Sequence, residues 1–213
     1  MVEPQARNRR KFLAAARRAP RLKTRAGVGL PPAWLLTDPV RTPDPCAVAT
    51  GLPAGWGVIY RHFGANDRAR IAADLARIAR RRDLILLIAS DPALAIDVGA
   101  DGVHWPEANR PARAVRAKAT DIITVSAHSR RALSDALSFG ADAAFLSTAF
   151  PSRSTSAKTP LRARKLRSLA MHARLPCYAL GGVNSETADA IAPFAGLASI
   201  EGILDAFSTK PGA

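Results

Sequence analysis

Cysteine is scarce in this chain: Cys46 and Cys177 are the only two among 213 residues, with no CxxC spacing. That count and separation indicate neither a zinc site nor a disulfide framework. Cys177 lies in an apolar run and reads as a packing residue. Long hydrophobic runs are also missing. No apolar stretch approaches the roughly 20 residues that a membrane helix needs. The basic N-terminus leads into no signal-type apolar core, so a cytoplasmic protein without a membrane partner is expected. Acids are in short supply too, 17 against 31 Lys and Arg, for a net charge of +14.

That charge invites a nucleic-acid reading, because clustered cations displace counterions from phosphates. Its distribution argues otherwise. Residues 1–26 hold nine basic residues against the single acid Glu3, and many later arginines, such as Arg77, Arg80 and Arg81, sit at helical spacing on what reads as a solvated face. Nucleic acid is therefore not the expected partner, and a basic interaction module is kept as the third reading. The first segment, residues 1–30, is taken as a basic extension, partly helical or disordered, around Phe12 to Ala16.

What the chain does have is a repeated phrase. Asp97-Val98-Gly99-Ala100-Asp101-Gly102-Val103-His104 is echoed by Ser138-Phe139-Gly140-Ala141-Asp142-Ala143-Ala144-Phe145. In each copy a helical stretch ends at a glycine, an acidic turn follows and a short apolar run begins, which is how a helix hands over to a buried parallel strand. Eight such runs can be marked: 33–38, 56–60, 84–89, 102–105, 122–126, 143–147, 176–180 and 197–200. Helical patterns fall between most of them, at 66–81, 112–119, 130–139, 161–174 and 185–193. With 48% hydrophobic residues the chain can bury one substantial core. The count favours a single (β/α)8 TIM barrel over residues 31–213; a doubly wound, flavodoxin-like sheet is the alternative.

In such a barrel the residues after each strand converge on one face. Here they include Asp38, Arg61, Ser90, Asn109, Ser126, His128, the loop Pro151 to Lys158, Gly181-Gly182, and Glu201-Gly202. This collection of hydroxyls, cations and a glycine pair suits an anion, because glycine lets backbone N–H groups approach a phosphate closely.

In order and spacing these residues resemble the thiamine phosphate synthase and thiazole tautomerase family. The marks are Leu-Leu-Thr-Asp at 35–38, Gly-Ala-Asp-Gly-Val-His at 99–104, Val-Ser-Ala-His-Ser at 125–129, Phe-Pro-Ser-Arg-Ser at 150–154 and Ala-Leu-Gly-Gly-Val at 179–183. The resemblance implies a transferase of thiamine biosynthesis that joins an aminopyrimidine diphosphate to a thiazole phosphate and releases pyrophosphate. It implies catalytic roles for Arg61, Ser126 and Lys158. Substrate-binding roles fall to Tyr60, His62, His128, Ser152, Ser154, Gly181, Gly182, Glu201 and Gly202. It also implies Mg²⁺ as cofactor, yet neutral Ser90 and Asn109 stand where the family places its two carboxylates, so no metal ligand is assigned. Only Arg61 remains of a Gln-X-Arg-X-Lys stretch after the second strand, and Thr148 stands where the tautomerase has histidine. His104 reads as a satisfied core histidine. A relative that binds a phosphorylated ligand without synthase chemistry is the second reading.

Overall fold

The computed structural model describes residues 2–114, 116, 121–154 and 159–208. Eight parallel strands close into a barrel in sequence order: β1 (Ala33–Leu36), β2 (Gly57–Tyr60), β3 (Ile85–Ala89), β4 (Gly102–Trp105), β5 (Ile122–Ala127), β6 (Ala143–Leu146), β7 (Cys177–Leu180) and β8 (Gly196–Ser199). Register is continuous around the ring, from Trp34 opposite Gly57 to Leu35 opposite Ser199. Around it run α1 (Val2–Arg18), α2 (Pro45–Thr50), α3 (Arg68–Arg82), α4 (Pro92–Val98), α5 (Arg130–Phe139), α6 (Arg162–His172) and α7 (Glu201–Phe207). None of the described helices is long and apolar enough to cross a membrane.

Alternation along the strands divides the core in two. Trp34, Leu36, Ile59, Leu87, Phe145 and Tyr178 point into the barrel, while Leu35, Val58, Leu86 and Ala144 face the helices. Inside, the Phe145 and Tyr178 rings stack at 4.9 Å and Trp34 meets each edge-on. Gly57 and Gly196 make room for this cluster, since a Cβ on either would lie within 2.2 Å of the Trp34 or Tyr178 ring. Tyr178 Oη donates to the carbonyl of Pro31 at 2.7 Å, and Leu30 seals the amino-terminal end.

The repeated phrase has a physical role in both copies. Gly99 (φ +66°) and Gly140 (φ +91°) end α4 and α5 in the left-handed region. The acid that follows then reaches the preceding strand: an Asp101 carboxylate oxygen accepts from Leu86 N at 2.8 Å, and one of Asp142 accepts from Ile123 N at 2.9 Å. Asp142 is also paired with Arg116 at 2.8 Å. Each acid ties the entry of one strand to the start of its neighbour.

Two expected helices differ. The segment 185–193 forms turns and a single 3-10 turn (Ala188–Ala190), because the Asn184 side chain accepts from the N–H of Glu186 and Thr187 and Pro193 ends any continuation. Of the expected helix 112–119, residues 112–114 and 116 are bend and loop, and the rest lie outside the described residues. The basic segment supplies α1, whose Phe12 is fully buried against Trp56 and Phe207. Two of its cations face acids: Lys11 pairs with Glu186 at 2.7 Å and Arg18 with Asp189 at 2.5 Å.

Candidate functional site

A cavity of about 770 Å³ opens at the carboxyl ends of the strands. One wall starts at β1 and β2. Arg61 leaves the end of β2 with its N–H on Thr37 Oγ1 (2.9 Å) and its Nε on the Thr37 carbonyl (3.0 Å), which fixes the guanidinium at the cavity edge. Burial lowers its pKa from the usual arginine value. Arg41, from the loop after β1, donates to Asp38 at 2.8 Å, and this hydrogen bond holds the Asp38 carboxyl down at about 2 against the opposing effect of burial. Sequence reasoning passed over Arg41, since nothing in its neighbourhood announces that the loop folds back over the mouth.

His104 and Ser126 form the floor. His104 is 1% exposed, and its ring nitrogens meet Thr124 Oγ1 at 2.9 Å and Ser126 Oγ at 3.1 Å. Burial, with Arg61 adding repulsion, pushes its pKa down to about 3, so the ring is neutral. It is the satisfied core histidine expected, and it also positions Ser126. Beside it, His128 Nδ1 lies 2.5 Å from Glu107.

The opposite wall is the glycine pair. Gly181 and Gly182 take φ +94° and +64°, and a Cβ on Gly182 would come within 2.4 Å of the Pro151 carbonyl oxygen. The loops after β6 and β7 are therefore in backbone contact. Gly202 lies in the same wall; its N–H donates to Ser199 Oγ (3.0 Å), which in turn donates to the Val183 carbonyl (2.5 Å). Ser152 and Ser154 line the cavity, with the Ser154 N–H on Ser152 Oγ at 3.3 Å. Glu201 reaches Arg153 at 3.1 Å and Arg41 at 4.0 Å. Asp205 lies one turn further along; burial first, then Glu201, raises its pKa.

The cavity thus gathers Arg61, Ser126, His128, Ser152, Ser154, Gly181, Gly182, Glu201 and Gly202. Lys158 lies outside the described residues. Tyr60 and His62 are corrected. Because Arg61 points inward, its two neighbours point outward: Tyr60 is fully buried and His62 3% exposed, their rings 5.0 Å apart beneath Arg68 of α3. Burial pushes Tyr60 up to about 12 and lowers the His62 pKa, which disfavours a charged His62.

The donors suited to a divalent cation do not converge. Ser90 and Asn109 are absent from the cavity wall, and Asn109 is exposed. Asp91 caps α4 through Leu94 N (3.0 Å) and pairs with Arg68 at 3.7 Å. Glu107 is taken by His128. Among the described residues no group of three or more His, Cys, Asp or Glu side chains is assembled. This set does not fit Mg²⁺, which favours carboxylates in octahedral geometry.

A closed (β/α)8 barrel with a polar, arginine-edged mouth at the carboxyl ends of its strands defines the class, that of the barrel enzymes, and the cavity lies at the end where such enzymes carry their sites. The family model of thiamine monophosphate synthase matches residues 43–203, and the chain belongs to that family of thiamine-biosynthesis transferases. It is 30% identical to the thiamine-phosphate synthase of Alcanivorax borkumensis over 164 residues, 73% of this chain and 76% of that protein. It is 25% identical over 127 residues to the thiamine-phosphate synthase of Prochlorococcus marinus, where the match covers 59% of this chain but 36% of that longer protein. The solved thiamine phosphate pyrophosphorylase of Pyrococcus furiosus superposes with a TM-score of 0.68 at 23% identity, covering 79% of this chain and 84% of that one, and shows the same fold.

Proposed function

We propose that the chain joins an aminopyrimidine diphosphate to a thiazole phosphate in the cytoplasm, releasing pyrophosphate and forming thiamine phosphate. The observation that carries this reading is a single cavity whose cations, hydroxyls and glycine pair suit two anions. Arg61 stands at the cavity edge, Ser126 in its floor, and Gly181-Gly182 with Ser152 and Ser154 in the wall across from Arg61.

In this reaction the thiazole nitrogen lone pair forms a bond to the methylene carbon of the pyrimidine. The bond from that carbon to the diphosphate oxygen breaks, and its electron pair leaves with pyrophosphate. Charge builds up on the leaving oxygen, so fixed cations and donors aimed there lower the barrier. Arg61 is anchored by two bonds to Thr37 and meets that need without reorganising. Ser126, steadied by neutral His104, supplies a hydroxyl from the cavity floor. The glycine pair and the serines after β6 hold the thiazole phosphate so that its nitrogen faces the carbon, which turns an encounter of two ligands into an in-line displacement. His128 with Glu107 closes the side of the cavity and provides polar contacts for the pyrimidine.

The test is product formation. Purified protein supplied with both substrates should yield thiamine phosphate, detected chromatographically, and neither substrate alone should yield pyrophosphate. Binding of thiazole phosphate without any product would instead favour the second reading, a family relative that retains the ligand and has lost the chemistry.

A further inference from the structure

The cavity has three arginines, contributed by three separate loops, while two of its carboxylates, Glu107 and Glu201, are already paired with His128 and Arg153, and among the described residues no group of three or more potential metal ligands is assembled. Arg41 comes from the loop after β1, Arg61 from the end of β2 and Arg153 from the loop after β6. We propose that the chain binds the pyrophosphate end of its substrate with these guanidinium groups and without a divalent cation. The inference rests on the reaction proposed above for the identity of the anion, and it reassigns how that anion's charge is balanced.

Formal charge supports the exchange. A divalent cation held by two carboxylates contributes nothing net. Replacing both carboxylates by Ser90 and Asn109 and dispensing with the cation leaves the mouth at the same net charge. A hard cation added here has to draw Asp91 from the α4 cap and Arg68, Glu107 from His128, or Glu201 from Arg153 to join Asp205.

The arginines are placed for the task. Arg61 is 26% exposed in its side chain, with Nε committed to the Thr37 carbonyl. Its Nη2 stands 4.0 Å from Asp38, beyond hydrogen-bond length, so that donor is available to a closer acceptor. Arg41 spends one Nη on Asp38, while its other lies 4.0 Å from Glu201. A guanidinium offers five donors in a planar fork that matches phosphate oxygens in pairs. Asp38 stays ionised and keeps Arg41 and Arg61 together at the rim. Arg153 is 85% exposed and rests on Glu201. Exposed ion pairs of this kind open readily, so an arriving anion takes the place of the Glu201 carboxylate and gains Arg153 as a third cation.

Sodium pyrophosphate is titrated calorimetrically into the full chain, once in excess EDTA and once in millimolar Mg²⁺. Thiamine phosphate formation is followed under the same two conditions. Arg41→Gln, Arg61→Gln and Arg153→Gln are compared with Arg77→Gln on α3, which removes an equal charge far from the cavity. Melting curves confirm that each variant is folded. Pyrophosphate should bind as tightly in EDTA as in Mg²⁺, Arg61→Gln and Arg41→Gln should each weaken it at least tenfold, and Arg77→Gln should leave it unchanged. Binding that appears only with Mg²⁺, binding that survives both substitutions undiminished, or no binding under either condition overturns the proposal. Metal-free, arginine-dependent binding without product formation upholds the clamp and counts against the synthase reading instead.

Discussion

Replacing Gly182 with alanine tests whether the glycine wall is a close backbone contact or an ordinary turn. Two costs act at this position. Its φ of +64° is a conformation that L-residues enter at about 1–2 kcal/mol. A Cβ there also meets backbone of the loop after β6, the Pro151 oxygen at 2.4 Å and the Phe150 carbonyl carbon at 2.9 Å, so the two loops must separate. Gly55 isolates the first cost, because its φ is +75° and nothing lies within 4 Å of its would-be Cβ. Gly55→Ala should therefore lose about 1.5 kcal/mol, or about 4 °C in melting temperature for a domain of this size. Gly182→Ala should lose about 3 kcal/mol, or about 8 °C. Only Gly182→Ala should also reduce the affinity for thiazole phosphate, by roughly tenfold or more. Paired melting curves and a thiazole-phosphate titration read out both effects. Equal losses in the two variants, or unchanged thiazole-phosphate affinity in Gly182→Ala, would refute the reasoning.

Other consequences concern the core and the charged rim. Phe12→Ala should cost about 3–5 kcal/mol in urea unfolding, since the ring is fully buried against Trp56 and Phe207; a loss below about 1 kcal/mol would mean that α1 is dispensable to the barrel. Asp38 has its pKa depressed from 3.8 to about 2, so its contribution is present above pH 3.8 and is lost as pH falls through about 2. Asp38→Asn should remove up to about 2 kcal/mol at neutral pH and flatten that part of the acid stability curve. His104, with a pKa of about 3, should remain neutral in ring-nitrogen NMR from pH 8 to pH 5. Because the unfolded chain protonates this histidine near 6.5, the native state should lose stability as pH drops below that value. Ser126→Ala should lower turnover by roughly tenfold to a hundredfold and cost about 1–3 kcal/mol of stability, because it leaves a ring nitrogen of buried His104 without its partner.

Much of the scaffold can be read from the chain because each βα unit carries its own local signals. Short apolar runs bounded by turns mark all eight strands, and Gly99-Ala-Asp101 and Gly140-Ala-Asp142 mark two handovers that the structure realises with the same hydrogen bond. The wall of Gly181 and Gly182 was legible for the same reason. Parity at the end of β2 was also available in the sequence: once Arg61 is assigned inward, Tyr60 and His62 must face α3, and treating the three together missed this. Other parts depended on contacts distant in sequence. Glu107 is recognisable only beside His128, twenty-one residues away, and Arg41 only once the loop after β1 is seen to approach Glu201. The segment 185–193 has apolar spacing that suits a helix, but the Asn184 turn and Pro193 leave room for a single 3-10 turn.

The central claim is that one cavity brings a pyrimidine diphosphate and a thiazole phosphate together for displacement, and stoichiometry tests it most directly. Full-length protein given both substrates should release pyrophosphate and form thiamine phosphate in equal amounts, with Arg61→Gln reducing both together. Thiazole-phosphate binding with no pyrophosphate released over many hours, in EDTA and in Mg²⁺ alike, would contradict it.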